Sequence, residues 1–507
     1  MVACFGYVKL LIVLLSSQCS ILLKILKIAG SFFLFLFGKP PSSRATIYGQ
    51  ARFMTKAEMR KFLNPRNTGL VFGKHRLSKD QSYRNLCLIA PTGAGKTTRF
   101  VIPNILQADG SIVVTDPKGS IYKATSTAMK AKGYQIQVVQ PHLPDQSERF
   151  NPVTRCATPQ ALRRLAGILA ANASSEQGDP FWKVTAQNVI NICLSALSNV
   201  QDRRLMHLAN VRRLLNTLAS EEIKTAEFMR KHLDDAVYEE YKAFIAQDSR
   251  VMANVLSGAR AALDLWADES IVRVTHADTL KIEDLRTKKT IIYIIVPQYQ
   301  ITYYSQLIGM IYQDCFEFVL KTGQDQSISE EERSRMLSVW FFCDEFGNLS
   351  KLERLATTTT TLRESRASLS LILQDPSQLE AIYGPRESQA ILAGGIQNKL
   401  FMSGLDIEVC ERIERKKRKK TVFDSTDGTA DKHARTVAKP LMSTDEIRML
   451  DTDSAILLSG RERPIKLKML PFYADPRLKA LTDQPPCPMG FDYSQERVSY
   501  LNLSETA

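Results

Sequence analysis

Leu86-Cys87-Leu88-Ile89-Ala90-Pro91-Thr92-Gly93-Ala94-Gly95-Lys96-Thr97-Thr98 is the stretch from which the fold of this chain is read. Its first four residues are an apolar run of the kind that forms a buried parallel strand. Two glycines then let the backbone turn its amides inward around anionic oxygens. A helical pattern runs on through Leu106. Strand, glycine loop and helix, in that order, are the context of a phosphate-binding loop. Within it Pro91, Thr92, Gly93, Ala94, Gly95, Lys96, Thr97 and Thr98 are the candidate nucleotide-binding residues. Lys96 brings a point charge to the terminal phosphates, and Thr97 offers a hydroxyl to Mg²⁺. The helix that starts there turns its positive end toward the same place. The strict pattern opens with glycine; here that position is Ala90.

A nucleotide site of this type also needs a carboxylate for the metal. Residues 337–343 are an apolar run closed by Asp344-Glu345. Asp344 is the candidate Mg²⁺ residue and Glu345 the candidate base for an attacking water. Standing alone, the pair would read equally well as an acidic helix cap after a core strand. Residues 369–373 form a further apolar strand, and Gln374 at its end can reach a γ-phosphate or simply hydrogen-bond the strand terminus. Asp116, in Thr115-Asp116-Pro117-Lys118-Gly119, closes another strand at the end where open α/β sheets bind ligands. It is a candidate nucleotide contact, against a turn built by Pro117 and Gly119. Arg363 and Arg366 precede the Gln374 strand. Either could be an arginine supplied across a subunit boundary to neutralise transferring phosphate, or an ordinary salt-bridging surface residue.

The chain has 507 residues, 44% hydrophobic and 24% charged, which excludes a collagen-like, mostly disordered or fully membrane-embedded protein. Lys+Arg 67 against Asp+Glu 53 leaves a net charge of +14. That excess fits an anionic partner, nucleic acid or lipid, as well as a solvated basic surface. Nine cysteines, without a CxxC pair, read as reduced thiols in a cytosolic body. Residues 5–37 are strongly apolar, broken by Lys9, Lys24 and Lys27, and fit one membrane span better than two. The body after about residue 40 is then cytosolic. Arg415-Lys416-Lys417-Arg418-Lys419-Lys420 reads either as a contact for phosphate or anionic lipid or as a solvated loop.

The glycine loop and the Asp344-Glu345 pair stand about 250 residues apart, far more than one βαβ unit requires. From about 154 to 284 the pattern is helical, with predicted helices at 159–171, 181–200, 210–218, 224–233 and 235–265. Asp179 and Pro180 give the second of these an N-cap and first turn. A strand is expected at 290–296, a helix at 304–321 and a polar loop at 324–335. The organisation is therefore an anchor (1–40), a first nucleotide-binding part (41–153), an all-α domain (154–285) and a second nucleotide-binding part (286–507).

Further motifs surround these sites. They are Tyr48-Gly49-Gln50-Ala51-Arg52-Phe53 with Thr55 and Glu58, Gly73-Lys74, Phe150-Asn151-Pro152 and Asp179-Pro180-Phe181-Trp182. Asp344-Glu345-Phe346, Gln374-Asp375-Pro376-Ser377-Gln378-Leu379, Pro440-Leu441-Met442 with Glu446, and Tyr473 with Asp475-Pro476 complete the set. Over residues 48–476 the chain resembles the type IV secretion coupling proteins, the TraG/TraD family of conjugation ATPases. The resemblance implies an α/β fold: a RecA-like P-loop nucleotide-binding domain with an inserted all-α domain and an N-terminal transmembrane segment. It implies ATP and Mg²⁺ as cofactors and a homo-hexameric ring in the bacterial inner membrane, its main body in the cytosol. Such a ring receives a relaxase bound to single-stranded DNA and passes it to a type IV secretion channel at the expense of ATP. Carried over by motif, Lys96 and Thr97 bind nucleotide and Mg²⁺, Asp344 supports Mg²⁺, Glu345 activates water and Gln374 senses γ-phosphate. Two departures stand out: family members commonly have two membrane helices around a periplasmic segment, and an acidic residue where this chain has Ser120. The alternative function is a coupling ATPase that recruits protein effectors only; a docking receptor without catalysis and a septal DNA pump fit the intact motifs less well.

Overall fold

The computed structural model describes residues 52–173, 180–416, 419–424, 435–490 and 492–503. The predicted membrane segment, residues 48–51 of the lead-in motif, Asp179 and residues 417–418 lie outside them. Among the described residues no helix is long and apolar enough to cross a membrane. Two compact units are distinguished, residues 52–414 with 442–507, and residues 1–51 with 415–441.

The strands in chain order begin with β1 (Val71–Phe72), β2 (His75–Arg76), β3 (Leu86–Ile89), β4 (Ser111–Asp116) and β5 (Gln135–Val139). They continue with β6 (Thr290–Ile295), β7 (Val339–Cys343), β8 (Ala367–Leu373) and β9 (Asn398–Met402). The last are β10 (Lys419–Asp424), β11 (Arg435–Pro440), β12 (Ser454–Ser459) and β13 (Ile465–Lys468). In the smaller unit β10 and β11 form an antiparallel hairpin. In the larger unit one nine-stranded sheet runs β13-β12-β9-β3-β8-β7-β4-β6-β5. The strands from β9 to β5 are parallel; β12 and β13 add an antiparallel edge.

β3 is buried on both faces, and its residues divide by parity. Leu86 and Leu88 enter one core, Cys87 and Ile89 the other. Each such buried aliphatic side chain contributes about 1.5–3 kcal/mol. The Cys87/Ile89 face carries the helical segment. Among the described residues the long elements between β5 and β6 are helices: Pro159–Ala173, Pro180–Ser198, Leu208–Ser220, Glu222–His232, Asp235–Ile245, Ser249–Ala262 and Glu269–Thr275. Asn151 fastens this segment. It is fully buried, donates to the carbonyls of Met206 (2.7 Å) and His276 (3.1 Å), and accepts from the Val153 amide (3.0 Å). None of the seven cysteines among the described residues is in a disulfide.

Two expectations are corrected. The single helix read over 235–265 is two helices, because the Asp248 carboxylate accepts from the Arg250 amide and caps a new start at Ser249. The polar loop read over 324–335 contains a helix, Glu330–Arg335. Ser329 and Glu332 exchange side-chain and backbone hydrogen bonds there as a capping box.

Beyond β13 the chain returns across the sheet edge to the helices. Tyr493 N donates to Asp145 O (3.0 Å), Glu496 pairs with the fully buried Arg149 guanidinium (2.9 Å), and Leu501 N donates to Asn210 Oδ1 (2.9 Å).

Candidate functional site

Parallel strands end together, so the residues that leave β3, β8, β7 and β4 meet at one edge of the sheet. Ile89 is level with Leu373, Cys343 with Leu371, and Val114 with Phe342. The glycine loop leaves β3 there. Ala90 N donates to Leu373 O at 3.1 Å. Gly93 and Gly95 sit at φ +83° and +82°, the left-handed region that side chains with a Cβ avoid. Thr97–Val101 continues the loop as a π-helical turn and passes into the helix Ile102–Leu106. Thr98 closes on the loop through Gly95 O (3.3 Å). Arg99 ties the turn to the antiparallel edge by an ion pair with Asp453 (2.9 Å) and a hydrogen bond to Thr452 O.

Lys96 is 7% exposed, and its ammonium donates to Ala90 O at 3.1 Å, curled within its own loop. Thr97 Oγ1 donates to Asp344 Oδ2 at 3.0 Å. The two motifs read from distant parts of the sequence are therefore in contact. Burial pushes the Asp344 carboxyl up to about 6, and the neighbouring Glu345 charge adds to this. The Thr97 hydrogen bond and the Lys96 charge act in the opposite sense.

Glu345 has φ +54° and ψ +39°, a left-handed conformation that a side chain with a Cβ holds at a cost of about 1 kcal/mol or more. The strain lies at the residue that sequence reading offers as the candidate base. Gln374 Nε2 donates to Glu345 Oε2 at 2.9 Å, and Gln374 Oε1 accepts from Thr92 Oγ1 at 3.2 Å. A carboxylate only accepts, which fixes the orientation of the amide. Gln374 thus bridges the glycine loop and Glu345.

The remaining candidates are placed elsewhere. Asp116 ends β4 level with Ile295 of β6. It is fully buried, and its oxygens accept from the amides of Tyr122 (2.8 Å) and Lys118 (3.4 Å), capping the helix Ser120–Ala131. Of the two readings of this strand end, these contacts are those of the turn. Arg363 and Arg366 lie before β8, at the opposite end of the strand from Gln374. Arg366 donates to the carbonyls of Arg333 (2.7 Å) and Ser334 (2.9 Å), and Arg363 is exposed. Neither is brought to the glycine loop of its own chain.

Sequence reading missed Tyr312. Its hydroxyl, fully buried under the sheet, meets Thr115 Oγ1 (2.7 Å) and Phe342 O (3.2 Å) and braces β4 against β7 just short of Asp344. No local pattern marks it, since a tyrosine on an apolar helix face reads as core. Several motif residues turn out to shape the backbone. Thr55 and Glu58 form a capping box, with Arg52 on Glu58, and Asp475 caps the helix Pro476–Thr482.

Residues 47–488 match the family described as "Type IV secretory system Conjugative DNA transfer". The chain is 27% identical over 469 residues to protein VirD4 of Rhizobium radiobacter, an alignment covering 86% of this chain and 64% of that protein. It thus spans less than two thirds of the length of that relative. Among solved structures it is similar to plasmid coupling protein TrwB in complex with the non-hydrolysable ATP analogue ADPNP. The TM-score is 0.67 at 15% identity, over 90% of this chain and 99% of that one. TrwB in complex with ADP and Mg²⁺ gives a TM-score of 0.67 at 16% identity with the same coverage. The chain belongs to the type IV secretory system conjugative DNA-transfer family, the TraG/TraD/VirD4 coupling proteins, and its mixed α/β sheet resembles that of TrwB.

Proposed function

We propose that the protein is a membrane-anchored ATPase that couples a relaxase–DNA substrate to a type IV secretion channel and drives DNA transfer during conjugation. The observation that carries this is the contact of Lys96, Thr97, Asp344, Glu345, Gln374 and Thr92 at one sheet edge, in a chain of this family. The donor set fits the cofactors. Thr97 and Asp344 offer a hydroxyl and a carboxylate 3.0 Å apart, hard oxygen ligands of the kind that hold Mg²⁺ together with phosphates and waters. TrwB, of the same fold, is known with ADPNP and with ADP and Mg²⁺.

Lys96 would leave Ala90 O for the terminal phosphates, and the loop amides between Gly93 and Thr97 would receive their oxygens. Mg²⁺ supplies charge neutralisation across the phosphates when bound. Glu345 takes the proton of the attacking water, and Gln374 reads the γ-phosphate. Arg363, exposed and uncommitted to carbonyls, is the better placed of the two arginines to act on the nucleotide of a neighbouring subunit in a hexamer. The apolar residues 5–37 are the anchor in the bacterial cytoplasmic membrane, and the basic excess favours a DNA substrate.

The test is ATP turnover by the full chain in membrane mimetic, with and without single-stranded DNA, at several protein concentrations. Turnover that rises with DNA and with concentration, and disappears in Glu345→Gln while nucleotide still binds, is expected. Turnover indifferent to DNA would move the reading to protein-effector coupling. Normal turnover in Glu345→Gln would remove Glu345 from the mechanism.

A further inference from the structure

Gln378 is not among the residues assigned to the nucleotide, yet it touches both halves of the hydrolytic site. Its Oε1 accepts the backbone N–H of Gln374 at 2.8 Å and lies 3.5 Å from that of Asp375. Its side chain also fills the space beside Gly347, two residues past Glu345. A Cβ on that glycine would meet Gln378 Cδ at 2.6 Å, and Cβ and Nε2 at 2.8 Å. Real side chains do not approach so closely, so a side chain at 347 would displace Gln378 from this position.

From these contacts we propose that Gln378 is a positioning residue that fixes the end of the Gln374 strand against the Glu345 loop and thereby sets the Thr92–Gln374–Glu345 bridge. The bridge spans hydrogen bonds of 3.2 and 2.9 Å, and a shift of about 1 Å at either end breaks one of them. Gln374 has no freedom to drift while its own amide is held. A triphosphate competes for the same Gln374 side chain, so the pose set by Gln378 governs how well the site tells a triphosphate from a diphosphate. The inference rests on reading Gln374 as the γ-phosphate sensor.

The test uses full-length Gln378→Ala, Gly347→Ala, the double variant and Gln378→Glu. Binding of ADP and of a non-hydrolysable ATP analogue is measured for each, together with kcat. Each single alanine variant is expected to bind ADP within about twofold of the unmodified protein. Each should lose about tenfold in preference for the triphosphate analogue, the scale of one hydrogen bond, and about tenfold in kcat. The double variant should lose less than the two singles combined, because truncating Gln378 removes two of the three clashing atoms. Gln378→Glu keeps the acceptor and should recover the preference. Equal losses for ADP and analogue, or additive effects in the double variant, would overturn the proposal. The analogue-to-ADP ratio needs no hydrolysis, so it separates this proposal from the assignment of Glu345 as base, which the Glu345→Gln turnover decides on its own.

Discussion

Asp314 gives a pH-dependent stability whose sign is fixed by its surroundings. It sits on the helix Ser305–Gln324 and lines a cleft of about 330 Å³ against Arg155, Cys156 and Arg164. The nearby carboxylates take the basic partners: Glu317 pairs with Arg164, and Asp278 with Arg155 (2.9 Å). Burial pushes the Asp314 carboxyl up to about 7, with the Arg155 charge pulling the other way. In the unfolded chain the same carboxyl titrates near 3.9. Between the two values the folded state binds the extra proton, so stability falls as pH rises through that window and stays lowered above it. At about 1.36 kcal/mol per tenfold change in proton affinity the ceiling is roughly 4 kcal/mol. Asp314 keeps an edge on the cleft, and solvent screening brings the expectation to about 2 kcal/mol. Asp314→Asn should therefore stabilise the full chain by about 2 kcal/mol at pH 8 and leave it nearly unchanged at pH 4. Urea unfolding followed by near-ultraviolet circular dichroism at both pH values reads this directly. Destabilisation at pH 8 would show Asp314 ionised and held by Arg155, and an equal effect at the two pH values would show no coupling to its proton.

Lys96→Ala should raise the Kd for nucleotide at least tenfold without lowering the melting temperature of the nucleotide-free protein, since the only bond lost there is to Ala90 O; calorimetry and thermal melts check the two halves separately. Arg286→Met should cost about 3 kcal/mol in urea unfolding, because it strips donors from the buried carbonyls of Val319, Leu337 and Ser365; a cost below about 1 kcal/mol would mean water replaces them. Neutralising residues 415–420 should flatten the salt dependence of single-stranded DNA binding, by about 0.7 in slope for each phosphate contact removed; an unchanged slope would make the run a solvated loop.

The cluster at the sheet edge was legible because each part is a short local pattern at a strand end: glycines where positive φ is needed, an acidic pair after an apolar run, glutamine after another. Their meeting follows from the parallel topology alone. Asp116 kept two readings for the same reason, since a strand-end carboxylate looks alike whether it faces a ligand or the amides of its own turn. The antiparallel edge was not legible. β9 opens on Asn398 and Lys399, and β12 and β13 are recruited by pairing with strands far along the chain. The capping box at Ser329 carried a signal that the surrounding charge obscured. The contacts of Glu496 with Arg149 and of Leu501 with Asn210 have no period to detect; they exist only as tertiary partners.

β3, which leads into the glycine loop, is hydrogen-bonded on both sides to strands made much later: Leu86 pairs with Ser370 and with Asn398. During synthesis at roughly 5–20 residues per second, about 280 residues must emerge before the first of those partners is available. For some 15–60 seconds the most apolar strand of the sheet has two open edges on the ribosome. The helices between β5 and β6 are made within that interval from neighbouring residues, so they form early and leave the sheet to close last. The nascent chain is thus a substrate for chaperones before it can bind a nucleotide, and a ribosome stalled ahead of residue 370 would yield an aggregating fragment.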